Sequence, residues 1–221
     1  MSKFNEIKNK FFSEWGIPAL AVSTVVLVVL VISMMVGHID RQSYAVGIYR
    51  DNIELHYEGA RAELVESIDL TIREVAPTTC MNGLAILRGC EKYGVDLFFV
   101  LAQGQLESQY GTKGMAQKTN SVFNVFAFDG HSYDQINKNG KYKHPDLSVE
   151  PYLKLLKEHY LVNGKTELDL MVNYVNEKGD RYATADQYEY YLMGIYNRLI
   201  NNDTLQAAWK KYNQFKILSG N

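Results

Sequence analysis

The carboxylate best placed to do chemistry is Glu107. It stands near the end of LFFVLAQGQLESQYG, among Phe98, Phe99, Val100, Leu101, Ala102 and Leu106, with the small Gly104 close by. A carboxyl partly withdrawn from water keeps its proton to higher pH, because burial disfavours the charged form. Such a group suits a general acid, which holds its proton near neutral pH and delivers it to a leaving oxygen, as in glycosidic cleavage. Position alone fits a solvated helix-terminal glutamate as well.

Other chemistries find no support in the residue types. His38, His56, His131, His144 and His159 show no HExxH or paired ligand spacing, so neither a metal nor a cofactor is called for. GxGxxG, GxxxxGK[ST] and GxSxG are absent, which removes the usual nucleotide and serine-hydrolase signatures. With 23 Lys and Arg against 25 Asp and Glu and no run of like charges, a nucleic-acid partner is excluded for want of a basic patch. Cys80 and Cys90 fall on one expected helix, about 15 Å apart along its axis, too far for a disulfide, and read as buried free thiols.

The elements that position Glu107 begin with an apolar run. The chain's 221 residues, 47% of them hydrophobic, suit one domain with an appendage. Ile17 to Val36 carries no charge over 20 residues, roughly 30 Å of helix, which predicts a transmembrane helix at 17–37 with the lipid bilayer as partner. Met34, Met35 and Val36 before Gly37 make a poor cleavage site, so the anchor is expected to stay. Lys3, Lys8 and Lys10 against Arg41 and Arg50 predict a single-pass protein with a cytoplasmic segment at 1–16 and an exported C-terminal part.

Over 38–76 apolar residues recur at steps of three and four: Val46, Tyr49, Ile53, Tyr57, Ala60, Leu64, Ile68, Ile72 and Val75. This predicts one amphipathic helix ended by Pro77, either a stalk or the first helix packing on the domain behind it. As a stalk, its 43–75 face would serve self-association or an envelope or virion partner. Beyond it, a helix capped by Thr78 or Thr79 runs to Tyr93 with Gly94 as its stop, and Asp96 caps the Glu107 helix, ending at Gly111. The turn NKNG between SYDQI and KYKHP predicts a small β-hairpin. Helices resume at 151–160, 167–176, 185–201 and 204–218, giving an α+β, mostly α, class.

The words around Glu107 carry a resemblance. VLAQGQLESQYGTKGMAQKTNSVFNV resembles the core of glucosaminidase domains (glycoside hydrolase family 73), whose pattern runs AQ-x-x-LES-x-[WY]-G-x-S/T and then NNLFGIK. Ala102, Gln103, Leu106, Glu107, Ser108, Tyr110, Gly111 and Thr112 match the first part, and Asn120, Phe123 and Val125 the second. Further on, Gly179, Arg181, Tyr182, Ala183 and Thr184 look like the family's YATD segment, with Asp186 one place late. Ser121 replaces the second Asn of NNLFG and Asn124 its Gly, so the bend there is open to change.

The resemblance covers about 80–199. It implies a lysozyme-like domain at 77–221, with Glu107 as catalytic acid and Gln103, Tyr110, Asn120 and Phe123 in substrate binding. It also implies peptidoglycan glycan strands as substrate, cut at the β-1,4 bond after N-acetylglucosamine. A second carboxylate is implied from the β lobe, where Asp129, Asp134, Asp146 and Glu150 compete; the YDQ context favours Asp134. Tyr182 has a separate argument. Thr184 and Gln187 form a T-x-x-Q capping box that would fix its ring, and a phenol there can bond an N-acetyl group or a carboxylate. Two alternatives stay open: a lytic transglycosylase working from a single Glu, and a non-catalytic glycan-binding or assembly module of a bacterial envelope or phage.

Overall fold

The structure, a computed structural model, describes residues 2–125, 134, 136, 138–176, 179, 181–183 and 185–220, with 2–26, 41, 44 and 45 described as backbone only. The chain divides into two units, Met1–Leu55 and His56–Asn221.

The first unit belongs to α1, a helix spanning Ser2–Val75. Among the described residues no helix is long and apolar enough to cross a membrane. This corrects the expected transmembrane helix and, with it, the single-pass location with an exported C-terminal part. The part of the apolar run whose side chains are described, 27–36, amounts to about 15 Å of helix, half a hydrocarbon core, before His38 and Asp40 interrupt it.

In the second unit the residues of α1 keep their amphipathic pattern. Tyr57, Ala60, Leu64, Ile68 and Ile72 are buried at steps of three and four, while Glu58, Glu63 and Glu66 are exposed. The helix α2, Gly83–Tyr93, starts later than expected because Thr79 is used elsewhere: its Oγ1 donates to the Tyr110 carbonyl (2.6 Å) and accepts from the Met81 N–H (3.0 Å). Asn82 caps the helix instead, accepting from the Leu84 N–H at 2.7 Å. Cys80 therefore precedes α2 and is exposed, Cys90 lies buried within it, and both are free thiols. Gly94, with φ of 60°, closes α2 as expected.

Asp96 caps α3, Leu97–Ser108, through the Phe99 N–H at 2.7 Å. All eight residues from Leu97 to Gly104 are buried, so α3 is enclosed around its whole girth, as a helix without a polar face must be. Then come α4 (Ala116–Thr119), α5 (Val149–Leu155), α6 (Glu167–Val172), α7 (Tyr188–Ile200) and α8 (Asp203–Ser219). A π-helical turn, Leu156–Tyr160, extends α5. Close approach of α2 and α5 depends on Gly89, where an added Cβ would stand 2.5 Å from Leu153 Cδ1 and 2.9 Å from Val149 Cγ1. Glu91 fastens three helices: it accepts from Arg61 Nε (3.1 Å) and Nη2 (3.0 Å) on α1 and from the Tyr212 hydroxyl (2.8 Å) on α8.

Among the described residues there is no strand, only an isolated bridge between Val175 and Arg181. The α+β class with a β-hairpin lobe is thus corrected to an all-helical one among the described residues; of the would-be first strand, 132, 133 and 135 lie outside them. Lys138–Gly140, from the NKNG turn, is a 3-10 turn, and Pro145–Ser148 is another. The would-be second strand has other backbone partners. The Tyr142 N–H donates to the Thr119 carbonyl (2.7 Å), and Asn120 Nδ2 donates to the Tyr142 carbonyl (2.9 Å), so this segment is bonded to the end of α4.

Candidate active site

Glu107 sits in the last turn of α3 and is half-buried. The residues after it unwind through positive φ at Gln109 (47°), Tyr110 (53°) and Gly111 (86°), which lets the chain turn away and leaves the helix end open. Two bolts hold that end to residues 121–124. Ser108 Oγ donates to the Val122 carbonyl (2.6 Å) while accepting from the Gly111 N–H (2.8 Å). Asn124 Nδ2 donates to the Glu107 carbonyl (3.0 Å) and reaches its Oε2 at 3.4 Å. Asn124 itself has φ of 49°, a left-handed conformation that asparagine tolerates better than most residues. The substitution for glycine thus keeps a positive-φ bend.

From the other side comes α7, which packs along α3. Its inward stripe starts at the partly buried Tyr188 and continues through the buried Leu192 and Leu199. The Tyr188 hydroxyl donates to Glu107 Oε1 at 2.5 Å and lies 3.1 Å from Gln103 Oε1. A phenol has one proton. With that proton on the bond to Glu107, the Tyr188 oxygen is an acceptor toward Gln103, and the amide orientation that suits it presents Nε2. In that orientation Nε2 is paired and Oε1 takes the buried place that has no partner. Burial first, then the neighbouring Tyr182 and Glu107, push the Tyr188 phenol far above its ordinary range, so it stays a donor.

Tyr182 stands one ring further out. Its ring meets Tyr188 edge-on at 5.8 Å and Tyr160 at 5.0 Å, and Tyr174 closes the cluster at 6.1 Å. Burial raises its phenol too, then the charge of Glu107 and then Tyr160. Gln103 is buried and joins the site through Tyr188. Phe123 is buried and stacked on Tyr152 at 3.9 Å. Tyr110 is wholly buried and packs on Gly104, where an added Cβ would lie 3.1 Å from its Cδ1. Asn120, with φ of 55°, lines a separate cavity of about 320 Å³ with Cys80, Gly111, Lys143 and His144.

Asp134 is exposed. The competing carboxylates serve α2. Asp146 accepts from the Asn82 N–H (2.8 Å), and Glu150 pairs with Lys92 and accepts from the Tyr93 hydroxyl (3.2 Å). Asp129 and Thr184 lie outside the described residues, and with Thr184 the expected capping box. The next helix opens at Tyr188 without a side-chain cap; Gln187 instead accepts from the Tyr191 hydroxyl at 2.9 Å. Asp186 is ion-paired with Arg181 at 3.2 Å. Among the described residues no three His, Cys, Asp or Glu could hold a metal ion.

Sequence reasoning passed over Tyr188 and the side chain of Asn124. Tyr188 was detectable as the first member of an apolar stripe running on through Leu192 and Leu199. Asn124 had no such signal, because its contact depends on a tertiary turn.

A search of curated proteins returns no match. The family model described as Glucosaminidase, mannosyl-glycoprotein endo-beta-N-acetylglucosaminidase, matches residues 84–201. That stretch runs from the first turn of α2 to the residue after α7 and takes in Glu107 with both of its flanking donors. It is more than half of the chain, which therefore belongs to the glucosaminidase family of glycosidases.

Proposed function

We propose that this chain cleaves peptidoglycan glycan strands at the β-1,4 bond after N-acetylglucosamine, with Glu107 as the general acid. The observation that carries this reading is the half-buried Glu107 carboxylate at the open end of α3, received by the Tyr188 phenol at 2.5 Å. Glu107 gives its proton to the leaving glycosidic oxygen as the C–O bond breaks, and the electron pair of that bond leaves with the oxygen. The charge left on Glu107 is met by the hydroxyl of Tyr188, a donor fixed before the reaction begins. Tyr182 and Gln103 keep Tyr188 in place. The catalytic domain is assigned to 77–221, with the residues of α1 before it as a packing helix.

In the hydrolytic form, Asp134 directs a water to the anomeric carbon from roughly 6.5–9.5 Å across the groove, the inverting separation. A second reading, single-Glu chemistry, is favoured by the exposure of Asp134, which a carboxylate holding a water inside a closed site would not show. There the anomeric carbon is taken by the substrate's own acetamido oxygen, or by its own hydroxyl as in a lytic transglycosylase. Purified peptidoglycan treated with the parent and with Glu107→Gln tests both forms. We expect the variant to be inactive and correctly folded. Mass analysis of the parent's products separates a reducing end from an anhydro end lighter by one water. Equal digestion by the variant refutes the acid.

A further inference from the structure

We propose that Asn124 is a positioning residue for Glu107, its side-chain amide holding the carboxylate and the helix end beneath it in the orientation from which the proton is delivered. The inference rests on Glu107 being the acid.

The amide faces two acceptors of one residue, the Glu107 carbonyl at 3.0 Å and Oε2 at 3.4 Å. Only the nitrogen end of the amide can do so, since Oδ1 in its place would confront two oxygens. The orientation is thereby settled, and it leaves Oδ1 buried without a partner. The backbone at Asn124 is also at φ of 49°, where glycine would be at ease and a side chain is not. The turn itself needs neither feature, because the Asn124 N–H bonds to the Ser121 carbonyl (3.1 Å) whichever side chain stands there. An orphaned acceptor and a disfavoured conformation are thus tolerated together, and the two bonds to Glu107 are what accompanies them.

The arrangement also completes a clamp. Tyr188 of α7 takes Oε1 and Asn124 approaches Oε2, so the plane of the carboxylate is held from both sides. With the Asn124 donor removed, the hold on Oε2 from that side is lost. The phenols of Tyr188, Tyr182 and Tyr152 are among the titratable groups that face it. All three are pushed up by burial and stay neutral through the working range, so none of them changes charge beside the acid there.

The test compares Asn124→Gly, Asn124→Asp and Glu107→Gln in the full chain, on soluble glycan strands from peptidoglycan. Glycine keeps the positive φ and deletes only the amide. We expect kcat to fall about tenfold with KM unchanged within about twofold, as for a displaced reacting group. The alkaline limb of the kcat profile should move to higher pH, because a donor to the carboxylate favours its charged form and has been lost. Aspartate should move the limb further, since it adds a like charge. A merely structural role would lower the melting temperature and the active fraction but leave the limb in place, and that result overturns the proposal, as does a parent-like Asn124→Gly. An active Glu107→Gln refutes the acid and the positioning together; an inactive one beside a parent-like Asn124→Gly refutes the positioning alone.

Discussion

Replacing Tyr188 by Phe removes one oxygen and little else. The ring keeps its edge contact with Tyr182 at 5.8 Å and its place at the head of α7. What is lost is the donor to Glu107 Oε1 and the acceptor for Gln103. In the proposed mechanism Glu107 is neutral before proton transfer and the bond to it is ordinary; afterwards it is a carboxylate and the bond is charge-assisted. A hydrogen bond to a charged group contributes about 1.5–3 kcal/mol, and the larger share of it arises as the charge develops. At about 1.4 kcal/mol per decade, Tyr188→Phe should lower kcat by about 10- to 150-fold with little change in KM. The alkaline limb should move upward, because the carboxylate has lost a partner. The assay is reducing-end release from solubilised glycan strands over a pH series, with melting curves to show a folded variant. A kcat within about threefold of the parent, with the limb unmoved, would refute the idea that this phenol serves the acid.

Gly89→Ala should destabilise the protein by about 1–3 kcal/mol in urea unfolding, although alanine is the better helix former by about 1 kcal/mol, because the new methyl meets Leu153 Cδ1 at 2.5 Å. A variant as stable as the parent would mean that α5 moves aside freely. Tyr110, Tyr152, Tyr182, Tyr188 and Tyr212 are all raised by burial above the ordinary phenol value of about 10. Above that pH the unfolded chain loses protons that the native chain retains, so stability is complete below about pH 10 and falls as pH rises further. Melting temperatures from about pH 8 to 11, read beside phenolate absorbance, check this; ionisation of every tyrosine near pH 10 with the fold intact would contradict the burial.

Legibility tracked locality. The Asp96 cap, the Gly94 stop, the α3 core and the buried stripe of α1 are short-range facts, and periodicity with cap chemistry found them. Glu107 was found from the apolar helix around it and from the words it shares with a family. The β-hairpin failed because NKNG and its flanks carry local turn chemistry, whereas the partner of Tyr142 is Thr119, more than twenty residues away. Thr79 failed as a cap for the same reason, its hydroxyl being drawn to Tyr110. A motif pointed to Tyr182, while the packing of α7 along α3, which no word records, put Tyr188 on the carboxylate.

The bond from Tyr188 to Glu107 joins residues 81 apart. A ribosome adding about 5–20 residues per second needs roughly 4–16 s to pass from one to the other. Through that interval α3 has been made and the helix that packs along it has not. A nascent chain must therefore carry an uncovered apolar helix, open to misassociation, before it holds the cover. The glutamate exists early but gains its phenol only when translation has passed α7, so a chain cut short before that point carries the recognisable LES word without the assembled Glu107–Tyr188 pair.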